Sequence, residues 1–348
     1  MWAVSGVTGV EQHIGDSQEN LAVSVYASYF NLVSQSAMVS AYGVAIILVL
    51  SCWAVRWCSI PRVDDNIVSE VIFGVKDGDD SQLPPVFGHR GCALDAPENT
   101  LAAFKEAKKN NADGIEFDLT FTRDNVAVIF HDDTLERTTN GEGPIDNITF
   151  DELRRLDASC KHPLAERFPK ERVPTLEEGV EECLRLGMRL IIDVKRYDSR
   201  AVEVVDKLFR ERPELYRRAL VASFYHNFVY SLRRRNPGIV TALTWQPGVL
   251  TYEDVNKTRP YHESFFAHML YTMADWLLDK ALHSGFLPYM TGASVVMISD
   301  NMMSNKYVNA WYNRGVYVIT WTTNNLAAKD FYRQSLRVGV ITDTMHPA

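Results

Sequence analysis

The sequence predicts a (β/α)8 barrel of the TIM type preceded by one N-terminal transmembrane helix. Three observations carry that expectation. Short β-prone runs alternate with helical stretches from about residue 86 to residue 342, the pattern of a parallel sheet built from βαβ units. Eight of the runs can lie parallel within the ~250 residues that such a barrel occupies. Upstream, an uncharged stretch long enough for a bilayer stands apart from the alternation.

The candidate strands are Val86–Arg90, Gly114–Leu119, Val126–Phe130, Arg189–Lys195, Ala219–Phe224, Ile239–Leu243, Ser294–Ile298, Val316–Trp321 and Val338–Thr342. Helical segments such as Asn99–Asn110, Leu176–Leu186 and Lys306–Asn313 fall between them. Nine runs are one too many for the barrel. Only about half a dozen residues separate Leu119 from Val126, and a parallel crossover needs a dozen or more, so these two runs form an antiparallel hairpin. Removing the hairpin arm leaves eight.

The largest insertion falls at about 244–293. Within it Phe265, Phe266, Met269, Leu270, Met273, Trp276 and Leu277 recur at helical spacing, with Asp275 and Asp279 on another face. The plain reading is a barrel helix, and it is preferred here over a membrane-facing or acyl-binding surface.

Residues Asn20 to Val55 contain no Lys, Arg, Asp or Glu, and the run Ala37–Val55 is the most apolar part. A bilayer core takes ~20 such residues in a helix. The run begins too deep, and lacks the basic flank, for a cleaved signal peptide. The expected organisation is a tail over 1–36, a transmembrane helix over 37–57, a linker over 58–83 and the barrel over 84–348. Arg56 and Arg62 after the span would hold the barrel in the cytoplasm. Two sequons, Asn147-Ile148-Thr149 and Asn256-Lys257-Thr258, point to a glycoprotein with a luminal or extracellular barrel.

A formal net charge of −8 argues against nucleic-acid binding, which needs a basic face. It leaves room for a small phosphate held by a local cluster of cations. The five cysteines form neither a disulfide framework nor a zinc pattern.

Polar residues gather at the strand ends. His89 and Arg90 close the first strand, and His131-Asp132 closes the hairpin arm. Glu116 and Asp118 share one face of a strand, as do Asp193 and Lys195. TIM-barrel active sites lie where these C-terminal ends converge. Carboxylates facing inward together call for a cation, and the hard oxygens of Glu116, Asp118 and Asp193 suit Mg²⁺ or Ca²⁺ better than zinc. Arg90 offers a planar fork for phosphate and Lys195 a compact charge. Histidine ordinarily changes charge near neutrality, so His89 and His131 are the residues here that can pass protons. Asn99 and Thr100 read as caps of the next helix, and His162, His226, His262 and His283 as structural or surface residues.

The ordered strings GHRGCALDAPENTLAAF, GIEFDLTFTRDNVAVIFHDDTLERTT, VPTLEEGV and IIDVK, continued by Trp321-Thr322-Thr323-Asn324 and Ile341-Thr342-Asp343, resemble the glycerophosphodiester phosphodiesterase family. The resemblance covers most of the barrel and none of the first 80 or so residues. It implies hydrolysis of glycerophosphodiesters to an alcohol and glycerol 3-phosphate. It also implies one divalent cation, Mg²⁺ before Ca²⁺, on Glu116, Asp118 and Asp193. His89 and His131 would be the acid–base pair, and Arg90, Lys195 and Trp321 would contact substrate. The attacking group is either water or the glycerol 2-hydroxyl, which would give a cyclic phosphate. The family commonly has Glu at the position of Asp193 and Pro at that of Met345. With the N-terminal span, these departures resemble the membrane-anchored animal branch. That branch implies a luminal or extracellular catalytic domain, glycerophosphoinositol or N-acyl-glycerophosphoethanolamine as substrate, and a regulator of G-protein signalling as partner. Two other functions stand beside this one: a lysophospholipase D acting on acyl-bearing substrates, and a catalytically silent membrane scaffold.

Overall fold

A strand covered on both faces has no reason to alternate polar with apolar residues, and its sequence becomes a continuous apolar run. Leu190–Ile192, Leu220–Ala222 and Val295–Ile298 are such runs, all buried. In the computed structural model, which describes residues 42–74, 82–252 and 257–346, they are strands of a closed barrel.

The strands are β1 (Val86–His89), β2 (Gly114–Phe121), β3 (Ala127–Ile129), β4 (Arg189–Val194), β5 (Ala219–Ser223), β6 (Val240–Trp245), β7 (Val295–Ser299), β8 (Tyr317–Trp321) and β9 (Gly339–Thr342). β3 pairs antiparallel with β2, Leu119 opposite Ile129, as the short connection requires. The other eight run parallel, and pairing of β1 with both β2 and β9 closes the ring. Helices cap well: Thr100 accepts from Ala103 N, and Thr175 forms a capping box with Glu178.

Inside the ring, Phe87, Ile191, Leu220, Val240, Val295 and Ile319 form one apolar cluster. Val68, Val71 and Ile72 of the helix Asp65–Phe73 join it. Phe73 packs edge-on against Tyr317, the first residue of β8, so this helix closes the end where strands begin. The expected linker over 58–83 therefore carries a structural plug. A second and larger cluster, with Phe104, Phe117, Val180, Phe209 and Trp311, lies between the strands and the outer helices.

The insertion between β6 and β7 holds the helices Phe265–His283 and Phe286–Thr291. The chain divides into two units, Met1–Cys58 and Ser59–Ala348. In the first, residues 42–58 are helical, with apolar side chains from Tyr42 to Trp57 exposed. No described helix is long and apolar enough to cross a membrane. The predicted tail, residues 37–41 of the predicted span, residues 75–81 and the sequon residue Asn256 lie outside the described residues.

Candidate active site

Strand register brings the first groups together. His89 at the end of β1 stands opposite Glu116, and Asp118 on β2 stands opposite Asp193 on β4. β1 ends one residue earlier than expected, because Arg90, Gly91 and Cys92 all take positive φ. The turn is tight: a Cβ on Gly91 would meet Ala103 Cβ at 2.7 Å. It aims Arg90 N–H at Glu116 Oε2, 3.0 Å away.

One carboxylate oxygen from each of Glu116, Asp118 and Asp193 lies within 4.8 Å of the others, and all three side chains are buried. Lys195 Nζ lies 2.6 Å from Asp193 Oδ2 and 2.9 Å from Asp118 Oδ1. Asn99 Nδ2 donates to Asp118 Oδ2 at 2.8 Å. Burial would raise Asp118, but Lys195, Arg90 and His131 outweigh it and hold this carboxyl far below the usual range. Burial and the Asp118 charge instead push Glu116 up to about 7. Asp193 Oδ1 is buried and accepts no hydrogen bond. Three hard, inward oxygens, one of them orphaned, fit a divalent cation.

Two aspartate–histidine pairs flank this triad. His89 Nδ1 and Asp343 Oδ1 are 2.6 Å apart, as are His131 Nδ1 and Asp132 Oδ1. Asn324 Nδ2 steadies Asp343 at 2.9 Å. Burial works to lower the His89 pKa, but the Glu116 charge and the Asp343 hydrogen bond prevail and raise it. Arg137 braces the other pair: it donates to both oxygens of Asp132 and to both oxygens of Glu98. Glu98 in turn accepts from Arg90 NH1 at 3.0 Å.

His89, Arg90, Glu116, His131, Asp193, Lys195 and Trp321 line one cavity of about 520 Å³. Asp118 sits fully buried beside Lys195 and Asp193, so all eight predicted site residues gather here. Trp321 packs edge-on against Phe224. Val249, Leu250, Tyr261 and Leu278 of the insertion complete an apolar wall.

Several residues escape sequence reasoning. Asn99 is no helix cap, since Thr100 performs that role, and its amide holds Asp118 instead. His226, read as structural or surface, lines the cavity. Glu98 and Arg137 lie in loops with no periodic signal, whereas Asp343, just beyond β9, could have been found by its place after a barrel strand.

Residues 89–346 match the glycerophosphoryl diester phosphodiesterase family. Glycerophosphodiester phosphodiesterase 1 of Homo sapiens is 38% identical over 257 residues, covering 74% of this chain and 77% of that relative. Among solved structures, an Oleispira antarctica phosphodiesterase in complex with the product sn-glycerol-3-phosphate aligns with TM-score 0.58 and 25% identity, covering 75% of this chain and 93% of the other. A glycerophosphodiester phosphodiesterase from Agrobacterium tumefaciens shares the fold, with TM-score 0.59 and 24% identity over 75% of this chain and 96% of its own.

Proposed function

Since the chain belongs to the glycerophosphoryl diester phosphodiesterase family, we propose that it catalyses metal-dependent hydrolysis of glycerophosphodiesters to an alcohol and glycerol 3-phosphate. Substrates such as glycerophosphoinositol or glycerophosphoethanolamine, N-acylated forms included, fit the reading. One observation carries it: a buried acidic triad and two aspartate–histidine pairs face a single cavity.

Asp343 and Asp132 accept the Nδ1 protons of His89 and His131, which fixes the rings and leaves each Nε2 for proton transfer. One Nε2 takes the proton of the attacking hydroxyl, from water or from the glycerol 2-position. The other gives a proton to the departing alkoxide as the P–O bond breaks. Lys195 and Arg90 supply positive charge beside the phosphate, and Trp321 walls the site. A divalent cation on Glu116, Asp118 and Asp193, Mg²⁺ or else Ca²⁺, would polarise the phosphoryl oxygen and offset the growing negative charge. Turnover by detergent-solubilised protein, with Mg²⁺, with Ca²⁺ and after chelation, tests the proposal. Unchanged turnover after chelation counts against it.

The apolar wall of Val249, Leu250 and Leu278 favours a second reading, a lysophospholipase D for acyl-bearing substrates. A silent scaffold would have no use for two oriented histidines. The uncharged run from Asn20 to Val55 supports a membrane anchor. The luminal or extracellular side and a regulator of G-protein signalling as partner rest on the resemblance to the animal branch.

A further inference from the structure

The helix Phe265–His283 is set outward. Of its 19 residues, Leu282 alone among those described is fully buried. Phe265 to Ala274 include no Lys, Arg, Asp or Glu. Phe265 and Phe266 are 75% and 76% exposed, and Met269, Leu270, Met273 and Trp276 are 50–61% exposed. A helix on a globular domain ordinarily turns its polar face to water. Here the opposite face is pinned. Asp275 accepts from Leu250 N at 2.9 Å and from Thr251 Oγ1, and Leu282, on the same side of the helix, is buried. Those anchors fix the six apolar side chains on the outside.

We infer that this helix docks on a lipid bilayer and inserts its apolar face among the acyl chains. Three features select lipid over a protein partner. The face is the outer side of one helix, and the hydroxyl within it, of Thr272, donates to His268 O of the same helix at 2.8 Å, which leaves the Trp276 indole as the group to set the register that a protein interface uses. It ends at Lys280, one turn beyond Trp276, where a long stem can reach the headgroups while the indole sits at the interface. The same chain also exposes the apolar residues of helix 42–58, from Tyr42 to Trp53. A lipid phase covers both surfaces, whereas a protein groove shaped for one does not cover the other.

The consequence for chemistry rests on the phosphodiesterase reading. Leu278 of this helix lines the catalytic cavity with Leu250, which Asp275 holds. Docking therefore leaves the apolar wall of the cavity one helix width, about 10 Å, from the acyl chains. The substrate class that gains is a glycerophosphodiester carrying an acyl chain and resident in the bilayer.

The test uses the full chain with its exposed cysteines replaced (Cys52→Ser, Cys58→Ser, Cys160→Ser), reconstituted in phosphatidylcholine vesicles with brominated acyl chains. A bimane placed through Leu270→Cys should be quenched at least about five-fold more than one placed through Glu181→Cys on the barrel helix Leu176–Arg185, as insertion demands. Equal quenching at both positions overturns the proposal, and a dimer mass beside it would assign the face to a second copy. This readout needs no turnover. With activity, Phe266→Ser with Leu270→Ser should cut turnover of vesicle-borne lysophosphatidylethanolamine about ten-fold and leave soluble glycerophosphoinositol unchanged. Equal effects on both substrates, or none on either, contradict the substrate consequence. If the unaltered chain hydrolyses neither, the phosphodiesterase reading fails while the quenching result stands.

Discussion

Asp118 and Asp193 stand directly opposite each other on neighbouring strands, and the Lys195 ammonium lies within 2.9 Å of both. Asp118 is wholly buried. Arg90 Nε adds a second positive charge 3.4 Å from Asp118 Oδ2, while burial and the Asp118 charge push the nearby Glu116 carboxyl up to about 7. A divalent ion among Glu116, Asp118 and Asp193 would relieve the repulsion between the three carboxylates.

The first prediction follows from that crowding. Mg²⁺ or Ca²⁺ at a hundred-fold excess over Kd should stabilise the fold by ~2.7 kcal/mol relative to chelator, by mass action alone. Differential scanning fluorimetry reads this as a rise in Tm. Asp193→Asn should shrink the rise. A rise of the same size in the variant would place the ion elsewhere.

The two aspartates behind the histidines should matter through kcat. In Asp343→Asn and Asp132→Asn the amide can present a donor to Nδ1 and turn the ring to the wrong tautomer, so each should lose ~10²–10⁴-fold in kcat with a smaller change in KM. Steady-state kinetics on glycerophosphoinositol checks it. Because the histidines act in one reaction, His89→Ala with His131→Ala should cost little more than either alone.

Arg137 grips Asp132 and Glu98 at once, with contacts of 2.5–2.8 Å. It sits 48% exposed, so its loss should spare the fold. Arg137→Ala should lower kcat ~10-fold by loosening the His131 pair, and Arg137→Lys should recover only part, since an ammonium cannot match the bidentate fork. Far-ultraviolet circular dichroism identical to that of the unaltered protein, with kinetics also unchanged, would show that the brace is idle.

Away from the site, Asp206 accepts from Arg210, Arg235 and Asn236. Burial would raise its pKa, but the bonds from Arg235, Arg210 and Asn236 outweigh burial and lower it. A depressed folded pKa gives stability that is present above the unfolded value of ~3.9 and lost as pH falls through the folded value. Asp206→Asn should therefore cost ~1–3 kcal/mol at pH 7, discounted for the exposure of both arginines. The gap between the two proteins in urea titrations should narrow below pH ~4. A gap independent of pH would mean that its charge does not stabilise the fold.

The barrel was legible because parallel strands buried on both faces leave uninterrupted apolar runs, and the hairpin because six residues cannot hold a crossover. The site was legible where function follows strand position: His89, Glu116, Asp118, Asp193 and Lys195 lie on or beside strands, and strand periodicity gives their faces. Loops obey no period. The Glu98–Arg137–Asp132 chain joins residues 39 and 5 positions apart through side chains alone. Asn99 misled for a related reason. An Asn before a helix reads as a cap, but Arg90 O accepts its N–H, its φ is positive, and its amide turns to Asp118 while Thr100 caps. The helix Asp65–Phe73 hid within a segment that hydropathy alone marks as a connection.

The most direct measurement follows glycerophosphoinositol by phosphorus-31 nuclear magnetic resonance in the presence of the full chain, with Mg²⁺ or chelator, beside His89→Ala. The account predicts a growing glycerol 3-phosphate resonance that needs the divalent ion and is absent in the variant. Turnover that persists in chelator, or that His89→Ala leaves untouched, would contradict it.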